Sequence, residues 1–485
     1  MPLLEETDYI PTEKYAHADE LRAHAVRIGK RYDLYSRTVF QTEVLGLRWD
    51  DGKATWSVET TRNDKILARF AIPAAGPLHR PKLPGLSGIE SFQGHSFHSS
   101  RWDYDYTGGS TAGGLTKLTN KRVGIIGTGA TAVQIVPHIG EWAKEAYVFQ
   151  RTPSSIDVRD NAPTDWDWAK TLTKGWQQRR MENFNTIISG GYQENDLVSD
   201  SLTKSSRTLR PDPRKMTNGD PKTYVAELQL ANFKKMESLR ARVDAIVKNP
   251  EDADSLKPWY NYLCKRPCAH DEYLQTFNRQ NVHLIDTKGQ GVEAITPRGA
   301  TANGKEYELD CLIYATGFEL ATDWSHRSGM EIYGRNGITV TEKWRDGAST
   351  FQGWASRSFP NCLFLGLTQA AQSPNFMYVT NGQAKHFAYI ISQCQMRGIR
   401  SIEPRADAEE EWVKASVETG KVRSAAFREC TPGYYNNEGD FTLRAARNAA
   451  YGGGVVAFFE ILKKWKDENK LDGLEVTLFA TENIV

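Results

Sequence analysis

The sequence has few cysteines, almost no net charge and no long apolar run, and each of these features excludes a class of protein. Six cysteines among 485 residues are too few for a disulfide scaffold and fit a reducing compartment. The 61 basic and 60 acidic side chains leave a formal charge of +1, so no global field favours nucleic acid or an anionic membrane. The longest apolar runs, such as 455–459, fall far short of the ~20 residues that a membrane-spanning helix needs. We therefore expect small-molecule partners, no nucleic acid and no membrane span.

What is present is the composition of a large folded protein. Hydrophobic residues make up 39% of the chain and charged residues 25%, and at ~150 residues per domain the length suggests about three domains. The first eight residues include acidic side chains where a signal peptide would have basic and then apolar ones, which favours the cytoplasm. Cys264, Cys268 and His270 suggest a metal site only weakly, because their spacing is unusual and no second ligand pair exists.

The order of apolar patterns along the chain predicts an α/β protein. A helical stretch up to about Arg31 precedes short alternating runs between 42 and 72, which predict a small antiparallel meander. The loop 73–85 is rich in proline and glycine, as is typical of a link between domains. A strand–helix–strand pattern follows at 122–149, and a mainly helical insertion covers about 164–262. After it, the sequence predicts buried strands at 282–286 and 311–315.

The strand at 122–126 leads into a glycine-rich turn. In the pattern G-x-G-x-x-A, the first glycine permits a tight turn, the second lets backbone approach a pyrophosphate, and the small third residue permits close helix packing. The following helix offers free N–H groups and its positive dipole end to phosphates. A glycine turn without a ligand is the alternative, but the strand before it and the helix after it favour dinucleotide binding. The predicted binding residues are Gly127, Thr128, Gly129, Ala130, Thr131, Ala132, Val133 and Gln134.

The end of the second strand indicates which dinucleotide is bound. Arg151 stands at about the distance from Gly127 at which NAD-binding proteins place an acidic residue on the ribose. A guanidinium there suits a 2′-phosphate, and no carboxylate is present to repel it, so we expect NADPH, with Thr152 beside it. An ordinary solvated arginine is the alternative.

A longer motif just before this unit is far more specific. Residues 92–103 match the pattern F-x-G-x-x-x-H-x-x-x-W-[PD] at every fixed position, namely Phe92, Gly94, His98, Trp102 and Asp103. The chain thereby resembles the Baeyer–Villiger monooxygenases, flavoenzymes that insert one oxygen atom of O₂ beside a ketone carbonyl. The resemblance implies that His98 and Trp102 lie at a hinge between domains, and simple packing within a linker is the alternative.

Further segments extend this resemblance over most of the chain. Residues 315–319 look like the A-T-G-F-[DE] segment where such enzymes cross back to the flavin domain. Lys265 and Arg266 look like the family's K-R pair, which implies that Lys265 reaches the 2′-phosphate of NADP. The same resemblance makes Arg266 the catalytic arginine that stabilises the oxygen-insertion transition state. Surface salt bridges are the alternative for both. Val44 resembles the residue whose backbone meets the adenine part of FAD.

The resemblance also implies a fold, and the sequence departs from it in one respect. Family members carry a first glycine fingerprint for FAD and a second for NADPH, and this sequence shows only the second. We expect two interleaved Rossmann-like dinucleotide-binding domains, the FAD domain N-terminally incomplete, with a helical insertion. The predicted segments are 1–110 and 316–485 for the two parts of the FAD domain and 116–315 for the NADP domain. The missing fingerprint and the acidic partner of Arg266 are expected upstream of Met1, and without them flavin should bind poorly.

The expected function is an FAD- and NADPH-dependent monooxygenase that converts a small-molecule ketone and O₂ into an ester. Whole-sequence likeness to fungal polyketide-pathway members, of the hydroxyversicolorone monooxygenase type in aflatoxin and sterigmatocystin biosynthesis, implies an anthraquinone substrate. Aromatic residues between 351 and 380, among them Phe351, Trp354 and Phe359, line a pocket for it or simply pack in the core. An N- or S-oxygenating flavin monooxygenase and a non-catalytic NADP-binding remnant stay open as alternatives. No metal is expected.

Overall fold

A computed structural model describes residues 1–209, 221–320 and 322–480, and the chain divides into two compact units. Unit one comprises 3–34 and 81–318, and unit two comprises 35–80 and 319–485. The chain passes from unit two to unit one within the predicted linker, between residues 80 and 81. It returns to unit two directly after the A-T-G-F segment, between residues 318 and 319. The borders of the two units differ from those of the predicted segments. Residues 3–34 and 81–110, predicted as part of the FAD domain, lie in unit one. The assignment of a cofactor to each segment stays a prediction.

The chain contains both helices and strands, with runs of strands at 44–98 and 282–314 and a run of helices at 166–256. The strands are β1 (Val44–Asp50), β2 (Thr55–Thr60), β3 (Lys65–Ala68), β4 (His95–His98), β5 (Arg122–Ile126), β6 (Glu145–Gln150), β7 (Ile156–Asp157), β8 (Cys268–Ala269), β9 (Val282–Asp286), β10 (Ala294–Thr296), β11 (Gly299–Ala302), β12 (Lys305–Glu308), β13 (Cys311–Tyr314), β14 (Glu331–Tyr333), β15 (Ile399–Pro404) and β16 (Leu474–Leu478). The helices are α1 (Ala18–Arg31), α2 (Tyr104–Thr107), α3 (Ala130–Trp142), α4 (Trp166–Lys170), α5 (Trp176–Ile188), α6 (Ser201–Leu209), α7 (Pro221–Ile246), α8 (Pro250–Leu256), α9 (Tyr273–Thr276), α10 (Trp324–Ser328), α11 (Val340–Lys343), α12 (Phe376–Met396), α13 (Ala406–Phe427), α14 (Leu443–Asn448) and α15 (Gly454–Glu468).

Unit one is built around a parallel sheet in the order β4–β13–β5–β6–β9. Its central strands β13, β5 and β6 are mostly buried because both faces of the sheet are covered. In β5, Val123 and Ile125 belong to the core shared with α3 and α9. Ile126 belongs to the opposite core, which includes residues of the antiparallel sheet β10–β11–β12. The strand–helix–strand unit and the two later strands are thus found where the sequence predicts them.

The predicted insertion is helical and runs from α4 to α8, except that its stretch 210–220 lies outside the described residues. It leaves the sheet after β6 and returns before β9. On the way, the chain forms the short parallel ribbon of β7 and β8, in which Ile156 pairs with Cys268 and Asp157 with Ala269. This ribbon connects the insertion to the sheet close to the glycine-rich turn.

Unit two contains the predicted meander, in which β1, β2 and β3 are antiparallel neighbours. The sequence analysis did not predict β14, which pairs in parallel with β1 and has only three residues. Phe351 and Trp354 pack in the core formed with α12, α13 and α15, and Phe359 packs with Trp56 in a second core. These three aromatics therefore serve packing rather than an open pocket. Within the described residues, no helix combines the length and the apolarity needed to cross a membrane.

Candidate active site

The glycine-rich turn is held between the two strands beside it. Gly127 follows β5 with a φ of +112°, where an added Cβ would lie 2.5 Å from the carbonyl oxygen of Ala315. The fold itself therefore requires glycine at this position. Thr128 donates its hydroxyl to the carbonyl of Thr152 at 2.7 Å, and Ser154 donates to the carbonyl of Thr128 at 2.5 Å. The turn is thus fixed against the ends of both β13 and β6.

Gly129 is glycine for a different reason. Its φ of −72° and ψ of −174° suit any residue, and an added Cβ would meet no described atom within 4 Å. The packing of the described residues therefore leaves open space at the N-terminus of α3. In the described structure no side chain caps this helix, so the N–H groups of its first turn are available to a ligand at the positive end of the dipole. With Ala132 fully buried behind them, these residues fit the pyrophosphate of NADP.

Arg151 lies at the end of β6 on a fixed support. Its side chain is exposed, and its Cδ is 3.9 Å from the point where a Cβ on Gly291 would stand. The loop that contains Gly291 is held by Thr287, which donates to the carbonyl of Gln150 and accepts the N–H of Gly291, both at 2.8 Å. Arg151 thus extends along a well-anchored loop, in a position suited to a 2′-phosphate.

His98, the central residue of the fingerprint, is buried at the carboxyl end of β4. Its Nε2 lies 3.0 Å from the carbonyl oxygen of Gly317, and its Nδ1 lies 2.8 Å from the hydroxyl of Ser100. Burial lowers the pKa of His98, so the ring is neutral near pH 7. Because a carbonyl only accepts, Nε2 carries the proton and donates to Gly317, while Nδ1 accepts the N–H of Ser100 at 3.2 Å.

Of the other fingerprint residues, Trp102 and Asp103 build the turn between β4 and α2, and Phe92 and Gly94 lie just before β4. Trp102 donates its indole N–H to the hydroxyl of Thr107 at 3.0 Å, and Asp103 caps α2 by accepting the N–H of Tyr106 at 2.9 Å. At Gly94, an added Cβ would lie 2.9 Å from a backbone carbonyl and would also overlap the ring of Phe92. Their local packing is therefore established, and the hinge role of the motif stays a prediction.

Three motifs that are distant in sequence meet at the carboxyl edge of the parallel sheet. Because β4, β13 and β5 are neighbours, their ends bring together His98, the segment 315–317 and Gly127. Two contacts join them, namely the approach of Gly127 to Ala315 and the hydrogen bond from His98 to Gly317. Ligands of open α/β sheets bind at this edge. The fingerprint, the A-T-G-F segment and the glycine turn thus form one site.

Lys265 and Arg266 lie directly before β8. Cys268 donates its N–H to the carbonyl of Ser155 at 3.0 Å, which places the K-R segment beside the chain that holds the glycine turn. Lys265 is partly exposed and Arg266 is exposed. Arg266 forms no ion pair within the part of the chain that the structure describes. Burial raises the pKa of the Cys268 thiol to about 11, and the charge of Arg266 opposes that shift.

Two further sequence expectations concern other ligands. His270 uses Nδ1 to accept the N–H groups of Glu272 and Tyr273, both at 3.1 Å, and the described residues contain no metal-binding group of three side chains. Val44 begins β1 and pairs with Thr60. In unit two, β14 leads through Gly334 and Gly337 into α11, but α11 has only four residues and Thr339 caps its first turn, so this turn does not offer its N–H groups to the pyrophosphate of FAD. The contact of Val44 with FAD stays a prediction.

Comparison with known proteins decides the family. No family model matches the chain. A Baeyer-Villiger monooxygenase named ATR8, from Stachybotrys chlorohalonatus, is 51% identical over 485 residues, which cover 99% of this chain and 77% of that protein. The chain belongs to the Baeyer–Villiger monooxygenases. Its family and its α/β fold class, predicted from the sequence, are confirmed.

Solved structures of related monooxygenases agree with this assignment. The polycyclic ketone monooxygenase from Thermothelomyces thermophila superposes with a TM-score of 0.91 at 38% identity, covering 99% of this chain and 80% of that one. The complex of OTEMO with FAD and NADP superposes with a TM-score of 0.77 at 26% identity, covering 98% of this chain and 88% of that one. Both predicted cofactors are therefore present in a solved relative.

Sequence reasoning missed several residues that support the site of this Baeyer–Villiger monooxygenase. Gln150 is fully buried and donates to the carbonyl of Ser255 at 2.8 Å, which ties the end of β6 to the insertion. Tyr260 donates its hydroxyl to the carbonyl of Pro153 at 2.8 Å, close to the glycine turn. For Gln150 the only signal was a polar residue at a strand end, which is common, and for both residues the partner lies more than a hundred residues away.

Proposed function

We propose that this Baeyer–Villiger monooxygenase converts a polycyclic ketone into an ester, with NADPH as the electron donor and O₂ as the source of the inserted atom. The observation that carries the proposal is the meeting of His98, the segment 315–317 and Gly127 at one edge of the sheet. A glycine turn alone would support any dinucleotide-binding protein. Its junction with the fingerprint supports the ketone-oxidising reaction.

In this proposal, the residues of unit one divide the work of binding. Gly129 and the first turn of α3 bind the pyrophosphate of NADPH through backbone N–H groups, and Arg151 with Thr152 and Lys265 binds the 2′-phosphate. FAD supplies the activation of O₂ when it is bound. Arg266 offers an exposed guanidinium that stabilises the negative charge developing on oxygen during insertion.

The proposed substrate is an aromatic polycyclic ketone of fungal secondary metabolism, with anthraquinones that carry a side-chain ketone as the first class to test. Whole-sequence likeness to fungal polyketide-pathway enzymes supports this choice, as does the 38% identity to an enzyme described as a polycyclic ketone monooxygenase. The buried aromatics of unit two do not contribute to the argument, because they pack in cores.

The direct test is the mass of the product. The protein is incubated with FAD, NADPH and ¹⁸O₂ and with three ketones, namely a side-chain keto-anthraquinone, a steroid ketone and cyclohexanone. We expect one ¹⁸O atom in an ester and the highest kcat/KM for a polycyclic ketone. A sulfide and a tertiary amine are assayed in parallel. Oxygenation of those two without any ester would assign the protein to the N- or S-oxygenating class instead.

Arg266→Ala tests the assigned catalytic residue. We expect NADPH oxidation to continue while ester formation falls by roughly 100-fold or more, since one lost charge-stabilising donor costs about that much. Arg298→Ala is the matched control, because Arg298 is an exposed arginine of unit one that is paired with Glu306 and Glu308. Unimpaired ester formation by Arg266→Ala would show that this arginine has no catalytic role.

A further inference from the structure

A partly buried ion pair connects the helical insertion to the ribbon beside the K-R segment. Lys235, on α7, places its Nζ 2.5 Å from Oδ2 of Asp157, in β7. The two side chains are only 14% and 16% exposed. Removing two charges from water costs much of what their attraction returns, so such a pair is weak evidence for a stabilising role. Its location suggests what it does instead.

Asp157 is attached to the residues that follow the K-R segment. Its strand pairs with β8, which begins two residues after Arg266. The carbonyl of Asp157 accepts the N–H of His270 at 2.9 Å, so its main chain and its side chain hold two different elements. Moving Asp157 would therefore move the ribbon that follows Arg266.

Lys235 also contacts the N-terminal side of the same segment. Its Nζ lies 5.6 Å from the ring centroid of Tyr262, which is 2% exposed. The hydroxyl of Tyr262 lies 3.3 Å from that of Ser205, so the ring is confined from a second direction. Burial raises the pKa of Tyr262, and the negative charge of Asp157 adds to that shift, which agrees with the closeness of all three groups.

A second residue of α7 reinforces this attachment. Arg242 follows Lys235 by two helical turns and so lies on the same face of the helix. It donates to the carbonyl of His270 at 3.3 Å. One face of α7 therefore touches both Tyr262 and His270, the two ends of the stretch 262–270 that contains Lys265 and Arg266.

We propose that Lys235 is a positioning residue for the cofactor site. Its ion pair with Asp157 and its contact with Tyr262 hold the segment 262–270 so that Lys265 reaches the 2′-phosphate of NADP. Through this pair, the helical insertion tunes the preference for NADP over NAD without touching either dinucleotide. The inference rests on the proposed role of Lys265.

The experiment measures the dissociation constants of NADP⁺ and NAD⁺ by calorimetry, which needs no turnover. Lys235→Met should lower the ratio of NADP⁺ to NAD⁺ affinity by roughly three- to tenfold, the size expected for one displaced cation at a phosphate. Lys235→Arg, which keeps the positive charge, should leave the ratio of NADP⁺ to NAD⁺ affinity close to that of the unaltered protein. Lys257→Met is the matched control, because Lys257 pairs with Asp244 of the same helix at 2.9 Å and with Asp254, and its ion pairs within the described residues include none with 262–270. An unchanged ratio in Lys235→Met, or an equal fall in Lys257→Met, would overturn the proposal.

A double-mutant cycle separates positioning from general damage. In a Lys265→Ala background, Lys235→Met should have no further effect on the ratio, because both changes act through the same cation. An additive effect would overturn the proposal. Should Lys265→Ala itself leave the ratio unchanged, the proposed role of Lys265 fails, and with it the effect on the cofactor. Hydrogen exchange of the peptide 262–270 then tests the attachment alone, which predicts faster exchange in Lys235→Met and not in Lys257→Met.

Discussion

Replacing Gly129 by alanine should weaken cofactor binding without weakening the fold. The backbone at Gly129 has a conformation open to any residue, and the added methyl would enter space that no described protein atom occupies. Alanine at a compatible glycine position stabilises a protein by about 0.4–1 kcal/mol, because the unfolded chain loses freedom. We therefore expect the midpoint of urea unfolding to stay the same or rise slightly.

The loss of affinity follows from the same geometry. The methyl would stand where the pyrophosphate must approach the N–H groups that open α3. Losing one hydrogen bond to a charged group costs about 1.5–3 kcal/mol, which is roughly a 10- to 100-fold weaker dissociation constant for NADP⁺. Calorimetric titration with NADP⁺ measures this directly. An affinity within twofold of the unaltered protein would refute the assignment of this turn to the pyrophosphate.

Gly127→Ala is the matched comparison, since it lies two residues away in the same turn. A φ of +112° and a Cβ 2.5 Å from the carbonyl of Ala315 make this substitution costly for the folded protein. The left-handed conformation alone costs roughly 1–2 kcal/mol, and the contact adds to it. Both variants should bind NADP⁺ more weakly, but only Gly127→Ala should lower the unfolding midpoint. Equal destabilisation by both would contradict the distinction drawn between the two glycines.

Three further predictions concern other groups. Arg151→Ala should weaken NADP⁺ binding by roughly tenfold in calorimetry with NAD⁺ affinity and stability unchanged, because the side chain is exposed, and an equal loss for both dinucleotides would contradict its role. Burial lowers the pKa of His386 from 6.5 to about 4, so the unfolded chain binds more protons between these values, and stability, complete above pH 6.5, should fall by about 3 kcal/mol towards pH 4. Urea unfolding of His386→Phe should show a weaker pH dependence than the unaltered protein, and an identical pH profile would exclude this histidine as the cause. The buried free thiols should react with a thiol reagent at pH 8 only after unfolding, since burial raises the pKa of each, and rapid reaction in the folded state would contradict their burial; these are Cys268, Cys311, Cys362 and Cys394.

Local patterns were sufficient to predict the central part of unit one. The apolar run at 122–126, the glycine turn and the apolar helix after it each follow from neighbouring residues, and the structure has β5, α3 and β6 there. The strand at 282–286 was also predicted, from the short apolar pattern of Val282, Leu284 and Ile285, and it forms an edge strand of the parallel sheet. The three-residue strand β14 was not predictable, since its pairing with β1 depends on chain almost three hundred residues away.

The remaining parts of the site depend on contacts between distant polar groups, which leave no periodic trace in a sequence. Gly127 and Gly129 illustrate the limit, because the motif predicts both glycines but only the structure separates the one required by Ala315 from the one that leaves space for a ligand. Lys235 illustrates it further. In the sequence it is one charged residue of a long helix, and its partner Asp157 lies before that helix begins. The role proposed for this pair depends on the pairing of β7 with β8 and on the contacts of α7 with Asp157 and Tyr262, none of which the sequence shows.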